Sequence, residues 1–438
     1  MWTRPYTPLG LICLLAALLV LAAGPVGAGA RAIPRRHAQV ERAMISRTHT
    51  WPHSRTHTRF PTPAEEPSQT NPPESPLPPT SEPPSPPSTE SPKPVVEAPS
   101  SPAPEPAPAP EPAPSAAPAS IYWGAWIGEQ LTGTQAPWDM NAVTKFEELA
   151  GKRLSLVNFS SPFASCSGSS CSFYKFPTGP MESIRKHGAI PFFSWASDST
   201  PTSLNEPNFR LSDVINGTYD SYIKQFAEAA REWGHPFFLR FNWEMNGNWF
   251  PWSEGVNGNK AGEYVTAWRH VHDIFASVGA SNVSWVWCPN VDPEGHLQNL
   301  SSLYPGNEYV NWTGLDGYNS GTNPARPDRW RTFNQLYRST YKQITETIAP
   351  SKPLVIGEVA STEVGGSKAT WIKEMLSEVP TEYPQIHGLL WFDKYEGMDW
   401  PIESSTAATS AFAEGIQNPA YTENSFGSLA SGPIQPPS

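Results

Sequence analysis

The chain has 438 residues, a formal net charge of -11, 51 prolines and only 16% charged side chains. The acidic balance argues against a nucleic-acid-binding protein, which would carry a basic surface, and fits a soluble protein that handles a neutral ligand. The length allows one large domain or two to three ordinary ones. A monomer is the default expectation, since the sequence carries no signal for an oligomer.

Residues 1–30 have the pattern of a secretory signal peptide. Arg4 supplies a positive n-region, residues 9–23 form an apolar region, and Ala28-Gly29-Ala30 resembles a small-residue cleavage site. An apolar run of about 15 residues is short for a transmembrane helix, and an uncleaved anchor is the alternative. We therefore expect a secreted, extracellular protein with no membrane attachment after cleavage.

Two further segments precede the globular part of the chain. Residues 31–60 are basic and contain histidines, with almost nothing apolar to bury, so we predict a disordered leader; a metal-binding or wall-binding tail is the alternative. Residues 61–119 consist mainly of Pro, Ser, Glu and Ala. Because proline fixes φ and lacks an N–H donor, we predict a disordered but extended, semi-rigid linker that holds the next domain away from the N-terminus.

From residue 120 to residue 418 the composition is globular, and apolar runs alternate with segments of helical periodicity. The runs are residues 121–127, 154–159, 189–196, 236–245, 283–289, 310–318, 353–359 and 386–392. The clearest amphipathic helix spans residues 219–233, and others are predicted at 261–278, 330–348 and 368–376. The connection at 297–309 is short and has room for only a turn or two of helix.

Eight buried strands alternating with helices over about 300 residues predict an α/β protein with a (β/α)8 TIM barrel. A doubly wound sheet is the alternative, but no glycine-rich phosphate turn follows any of the strands. Residues 419–438 are predicted to be a C-terminal tail. Barrel enzymes carry their chemistry at the C-terminal ends of the strands, so those positions are the ones to search.

Four predicted strands carry an acid at or near their C-terminal ends: Glu244 in the fourth, Asp316 in the sixth, Glu358 in the seventh and Asp393 in the eighth. The fourth and seventh strands face each other across an eight-stranded barrel, which places Glu244 opposite Glu358. Two opposed carboxyl groups are what glycosidic bond cleavage needs, one protonated to release the leaving oxygen and one ionised at the sugar. Structural ion pairs are the alternative explanation.

Strand alternation places Arg240, Asn242 and Glu244 on one face, if the fourth strand continues that far. Arg240 is then close enough to keep a carboxylate ionised. Tyr318, on the sixth strand, is expected to donate a hydrogen bond to the second carboxylate. A buried salt bridge beside core aromatics is the structural alternative for this cluster.

Aromatic and amide side chains at the strand ends point to a sugar ligand. Trp249, Trp252 and Trp391 all lie at or just after predicted strand ends, and an indole face can cover the apolar face of a pyranose ring. Asn246 is one of several amides placed to meet sugar hydroxyls. Other tryptophans, including Trp285, are assigned to packing.

The cysteines agree with export. Cys166 and Cys171 flank four small residues and are a possible disulfide in an oxidising compartment. Their spacing also matches half of a zinc site, but no second pair follows at suitable spacing. Cys288 is interpreted as a buried thiol. We predict no metal site and no cofactor.

Three stretches resemble glycoside hydrolase family 26, over about residues 122–416. They are Arg240-x-x-x-Glu244-Met245-Asn246-Gly247-x-Trp249-x-Pro251-Trp252, Gly314-Leu315-Asp316-Gly317-Tyr318 and Ile356-Gly357-Glu358. The resemblance implies a (β/α)8 barrel and, in most members, a retaining endo-β-1,4-mannanase. It also implies that the substrate is a polysaccharide.

The resemblance assigns roles to individual residues. It implies that Glu244 is the acid/base, that Glu358 is the nucleophile, and that Tyr318 lies beside the nucleophile. Trp249 and Trp391 match aromatic residues that line the sugar subsites around the cleaved bond in the family.

One residue departs from the family pattern. Mannanases of the family commonly have histidine immediately before the acid/base, where this chain has Trp243. We therefore predict a secreted retaining endo-β-glycanase. Its leading predicted substrate is β-1,4-mannan, and mixed-linkage β-glucan and β-1,3-xylan are the alternatives. A non-catalytic polysaccharide-binding barrel is the competing hypothesis from another functional class.

Overall fold

The computed structural model describes residues 120–168, 170–326 and 328–438. The predicted signal peptide, basic leader and proline-rich linker all fall in residues 1–119 and lie outside the described residues.

A closed barrel of parallel strands organises the described chain. The sheet that forms it has ten strands, which are β1 (Ile121–Ile127), β2 (Leu156–Ser167), β3 (Ser170–Phe173), β4 (Ile190–Thr200), β5 (Phe237–Phe241), β6 (Val283–Trp287), β7 (Trp312–Asn319), β8 (Leu354–Ser361), β9 (Ile386–Asp393) and β10 (Tyr421–Thr422). Eight of them, β1, β2 and β4 to β9, pair in parallel in chain order, and β1 closes the barrel by pairing with both β2 and β9. The predicted (β/α)8 barrel is confirmed.

Helices surround the strands. They are α1 (Met140–Ala150), α2 (Thr178–His187), α3 (Leu211–Ile215), α4 (Asp220–Trp233), α5 (Glu263–Ser277), α6 (Phe333–Lys342), α7 (Lys368–Glu382) and α8 (Thr406–Gly415). A π-helical turn, Gln343–Ile348, extends α6. Between β6 and β7 there is only the short 3-10 turn Leu300–Leu303, as the length of that connection predicted.

The α4 helix shows how the apolar pattern builds the outer layer. Its buried residues Ile223, Phe226, Ala227 and Ala230 recur at helical spacing, and Gly234 ends the helix in the left-handed conformation that suits glycine. The ring of Phe226 stacks on Trp195 of β4 at 4.2 Å between centroids. Helix and barrel wall are therefore held together by large aromatic side chains.

The strand β5 is shorter than predicted. It ends at Phe241, because Asn242 and Glu244 have φ values of 44° and 53°, in the left-handed region. The alternation expected to place Arg240, Asn242 and Glu244 on one face therefore stops after Arg240. Glu244 instead reaches the mouth of the barrel from a tight loop.

The C-terminal residues 419–438 do not form a separate tail. The short β10 pairs with the beginning of β1, and Ile434 is buried. The Ile434 backbone accepts a hydrogen bond from Trp312 Nε1 at 2.8 Å and donates one to Ser284 Oγ at 2.7 Å. This segment covers the N-terminal end of the barrel, opposite the end that carries the acids.

Within these three described stretches, no helix combines the length and apolar character needed to cross a membrane.

Candidate active site

Arg240 connects two of the predicted acids inside the barrel. Its Nη1 donates to Asp316 Oδ2 at 2.7 Å and its Nη2 donates to Glu358 Oε1 at 2.5 Å, with all three side chains buried. Its Nε donates to Ser194 Oγ at 2.9 Å. Burial works to lower the pKa of Arg240, but the charges of Asp316 and Glu358 outweigh it and hold that pKa above its ordinary value. The cation is therefore permanent.

Glu358 receives a second donor on its other oxygen. The Tyr318 hydroxyl donates to Glu358 Oε2. Burial, together with the negative charge of Glu358, raises the pKa of Tyr318 well above its usual range, so this hydroxyl stays protonated and remains a donor. Tyr318 is itself held by the rings of Trp400 and Phe392, at centroid distances of 5.2 and 5.6 Å. Glu358 thus faces a cation and a neutral hydroxyl, both of which favour its ionised form.

A glycine makes the Arg240 cluster possible. A Cβ at Gly357, next to Glu358 on β8, would lie 2.6 Å from Asp316 Oδ1 and 2.9 Å from Arg240 Nη1. Both contacts are shorter than real Cβ atoms show, so only glycine lets the β8 backbone approach the ion pair this closely. Close packing against the Arg240–Asp316 ion pair therefore explains why glycine precedes Glu358 on this strand.

Glu244 has a different environment. It is 2% exposed, and its carboxyl group accepts hydrogen bonds from Trp249 Nε1 at 2.6 Å and from Asn290 Nδ2 at 2.8 Å. Burial and the charge of Glu358 raise the pKa of Glu244 to about 7, and the two N–H donors oppose that increase. Glu244 is therefore poised to hold or release a proton near neutral pH, as a general acid/base requires.

Two predicted asparagines bond neighbouring segments of the barrel mouth. Asn242 Oδ1 accepts from the Ser197 backbone N–H at 2.8 Å and its Nδ2 donates to Ser197 Oγ at 2.8 Å. Asn246 bonds the backbone of Asn290 through both its amide oxygen and its amide nitrogen. Both side chains are buried, and they tie the loop after β5 to the C-terminal part of β4 and to the segment after β6.

Of the three tryptophans predicted to line the sugar site, only Trp249 has a partly exposed side chain. Trp252 is 1% exposed, stacks on Phe250 at 4.3 Å and donates to the Trp243 carbonyl, so the prediction that it meets the ligand is wrong. Trp391 is fully buried and lies 5.6 Å from the Phe412 ring of α8. It points out of the barrel toward the helices, and its predicted contact with sugar is also wrong.

Trp243, the departure from the family pattern, is a packing residue in this fold. It is 2% exposed, and its ring packs against the stacked rings of Phe250 and Trp252, at centroid distances of 5.5 and 5.1 Å. The Arg240 guanidinium lies over the same ring at 4.9 Å. The position before Glu244 is therefore occupied by a buried aromatic ring that packs beneath Arg240.

Several site residues were missed by the sequence analysis. Asn290 follows β6 and bonds Glu244, while Ser194 and Asn158 form a hydrogen-bonded chain to Arg240. Arg326, in the loop after β7, lies 5.4 Å over the Tyr318 ring, and its charge acts on Glu244. Asn290 directly follows the apolar run at residues 283–289, and this place at a strand end is the signal that could have identified it.

The cysteines are now assigned. Cys166 and Cys171 form a disulfide between β2 and β3. Cys288 is a buried free thiol that donates to Asp316 Oδ1 at 3.2 Å. Among residues 120–168, 170–326 and 328–438, no three His, Cys, Asp or Glu side chains are grouped so as to hold a metal ion.

The chain matches a known family over most of the barrel, namely glycosyl hydrolase family 26, at residues 124–380. It is 33% identical over 302 residues to endoglucanase H of Acetivibrio thermocellus, covering 67% of this chain and 30% of that protein. It is 26% identical over 243 residues to a mannan endo-1,4-β-mannosidase of Bacillus subtilis strain 168, covering 53% of this chain and 60% of that protein. The chain thus spans less than two thirds of the length of either relative.

A solved structure supports the fold. The structure of a Cellulomonas fimi endo-β-1,4-mannanase double mutant superposes with a TM-score of 0.52 and 17% identity, covering 70% of this chain and 72% of that one. At this identity the likeness concerns the barrel alone.

Proposed function

The chain belongs to glycosyl hydrolase family 26, and we propose on that premise that it is a retaining endo-β-glycanase that hydrolyses O-glycosidic bonds of a β-linked polysaccharide. The observation that carries the proposal is the contrast between two buried carboxyl groups at one barrel mouth. Glu358 is bonded by a cation and a hydroxyl, whereas Glu244 is bonded by two neutral N–H donors. This contrast supports an ionised nucleophile beside a proton donor.

The proposed reaction is a double displacement. Glu358 attacks the anomeric carbon and forms a covalent glycosyl ester, while the proton of Glu244 passes to the departing glycosidic oxygen. Glu244, now ionised, then takes a proton from water, and the resulting hydroxyl attacks the anomeric carbon and releases Glu358. Arg240 and Tyr318 orient Glu358 throughout, and Trp249 both bonds Glu244 and offers its ring to the sugar next to the cleaved bond.

For the sugar, we propose a β-linked glucan. The 33% identity with endoglucanase H of Acetivibrio thermocellus, against 26% with the Bacillus subtilis mannosidase, supports this choice. The second candidate is β-1,4-mannan, the original expectation, which the similarity to the Bacillus subtilis mannosidase supports. β-1,3-Xylan stays the third candidate.

Secretion is part of the proposal and rests on residues 1–30 alone. N-terminal sequencing of the protein recovered from culture medium tests it, because cleavage near Ala30 is expected and an intact N-terminus retained with the membranes would contradict it.

The deciding experiment incubates the chain with mixed-linkage glucan, β-1,4-mannan and β-1,3-xylan. Product lengths are followed by chromatography and the anomer formed first by ¹H NMR. We expect internal cleavage, with the β-anomer appearing before mutarotation. An α-anomer would overturn the retaining mechanism. Binding to a glycan without any hydrolysis would favour the non-catalytic polysaccharide-binding barrel.

A further inference from the structure

The loops after β5 and β6 are joined by a reciprocal pair of hydrogen bonds. Asn246 Oδ1 accepts from the Asn290 backbone N–H at 2.8 Å, and Asn246 Nδ2 donates to the Asn290 carbonyl at 2.8 Å. The Glu244 backbone N–H donates to the Cys288 carbonyl at 2.7 Å. The two asparagines are 1% and 6% exposed. Both backbone groups of Asn290 are therefore fixed relative to the loop that carries Glu244.

This arrangement controls where the Asn290 side chain points. Its Nδ2 donates to Glu244 Oε1, and Trp249 Nε1 donates to Glu244 Oε2. One donor on each oxygen fixes the plane of the carboxyl group. Because an indole N–H and an amide N–H only donate, neither group accepts the proton of the neutral acid. That proton stays available for a leaving oxygen in the mouth.

We propose that Asn290, held by Asn246, is a positioning residue that sets both the orientation and the ionisation of Glu244. The role of Glu244 as acid/base rests on the proposed function, but its hydrogen bond to Asn290 and its titration can be measured without any turnover. Asn290 itself acts through Glu244.

The ionisable groups around Glu244 come from several elements. Glu358 lies on β8, Asp316 and Tyr318 lie on β7, Arg326 follows β7, and Tyr337 lies on α6; all of them interact electrostatically with Glu244.

Burial and Glu358 raise the pKa of Glu244, whereas Trp249, Asn290 and Arg326 lower it. A donor that bonds a carboxylate favours the ionised form, so removing Asn290 is expected to raise the pKa further.

The experiment compares Asn290→Ala and Asn246→Ala with Asn282→Ala as the matched control. Asn282 is also a buried asparagine beside β6, but at the other end of the strand, where it donates to the carbonyls of Ala230 and His235 at 2.9 Å. All three substitutions remove buried amide hydrogen bonds. Only Asn290→Ala and Asn246→Ala remove hydrogen bonds that position a donor on Glu244.

The primary readout is the titration of the Glu244 carboxyl carbon, measured by ¹³C NMR without substrate and assigned with Glu244→Gln. The second readout is the alkaline limb of the kcat/KM profile. We expect a midpoint near pH 7 in the unsubstituted protein, moving up by about one pH unit in Asn290→Ala and less in Asn246→Ala. Asn282→Ala should lower thermal stability and leave both midpoints in place.

Unchanged midpoints in a folded Asn290→Ala would overturn the proposal. If that variant does not fold, the isosteric Asn290→Asp replaces it. This variant exchanges the donor for a carboxylate, and its upward shift should exceed the shift expected for alanine. A shifted carbon titration without hydrolysis of any β-glycan supports the positioning role and contradicts the proposed function. Hydrolysis of a β-glycan together with an unshifted carbon titration would support the proposed function and contradict the positioning role of Asn290.

Discussion

Two nitrogens of the Arg240 guanidinium bind two different acids: Nη2 lies 2.5 Å from Glu358 Oε1, and Nη1 lies 2.7 Å from Asp316 Oδ2. One cation from β5 therefore holds acids on β7 and β8. A planar fork with fixed N–H directions serves two carboxylates at once, whereas a lysine ammonium acts as a single point charge. This geometry requires arginine at position 240 as well as a positive charge.

Arg240→Met is expected to destabilise the fold by about 3–5 kcal/mol, because it leaves buried carboxylates without their cation. Arg240→Lys should cost less stability but still lower kcat, since the charge remains and the fork is lost. Urea unfolding and kinetics on a soluble β-glycan measure both effects. The control is Arg231→Met, at an exposed arginine whose loss should cost no more than about 0.5 kcal/mol. Equal losses at positions 240 and 231 would contradict a buried bridging cation.

Glu358→Ala and Glu244→Ala should respond differently to azide. Removing the nucleophile leaves a space in which azide attacks the anomeric carbon directly, so the glycosyl azide should have inverted configuration. Removing the acid/base leaves the covalent intermediate intact, so azide should give the retained configuration on a substrate with a good leaving group. We expect Glu244→Ala alone to slow natural substrates by about 10²–10⁴-fold. The configuration of the glycosyl azides is measured by NMR. A product of retained configuration from Glu358→Ala would mean that Glu244 is the nucleophile and Glu358 the acid/base.

Glu244→Gln is expected to stabilise the protein at neutral pH. The folded pKa of about 7 lies above the unfolded value of about 4.3, so the folded state binds more protons between these pH values. The contribution of Glu244 to stability is therefore present below about pH 4 and is lost as the pH rises to 7. Glutamine removes this loss, and we expect a gain of about 1–3 kcal/mol at pH 8 and almost none at pH 4.

The measurement is urea unfolding of both proteins across that pH range. Glu254→Gln, at a glutamate that accepts from backbone N–H groups at the start of α5, is the control for a general effect of removing negative charge. A gain that is the same at pH 4 and pH 8 would contradict a pKa raised by burial.

The architecture was predictable because buried positions are occupied by apolar residues. The eight apolar runs therefore mark the strands, and the helical spacing of segments such as residues 219–233 marks the helices. The pairing of Glu244 with Glu358 followed from strand order alone. The end of β5 was not predicted: asparagine is enriched in the left-handed region, which makes Asn242 a weak signal, but the residue type of Glu244 gives no such indication. That conformation is imposed by the packing of the loop.

The tryptophans show a different limit. An aromatic residue at the end of a barrel strand can face the mouth or the surrounding helices. Because successive side chains of a strand point to opposite faces, a shift of one residue along the strand changes which side it faces. On β9 it is Phe392 that contacts Tyr318, so Trp391 faces α8. Asn290 lay outside the motif stretches, and its bond to Glu244 depends on Asn246 across two loops, a contact that residue order does not specify.

Trp243→His tests whether the departure from the family pattern determines the sugar. Because Trp243 is buried under Arg240 and packs against Phe250 and Trp252, the smaller polar imidazole should leave a cavity, disturb the guanidinium and cost about 2–4 kcal/mol. We expect kcat to fall on glucan and mannan alike, with the ratio of their kcat/KM values unchanged. Trp243→Phe, which keeps an aromatic face under the cation, should lose less of both stability and kcat. A tenfold or greater move of the ratio toward mannan in Trp243→His alone would contradict this expectation and make position 243 a direct determinant of substrate choice.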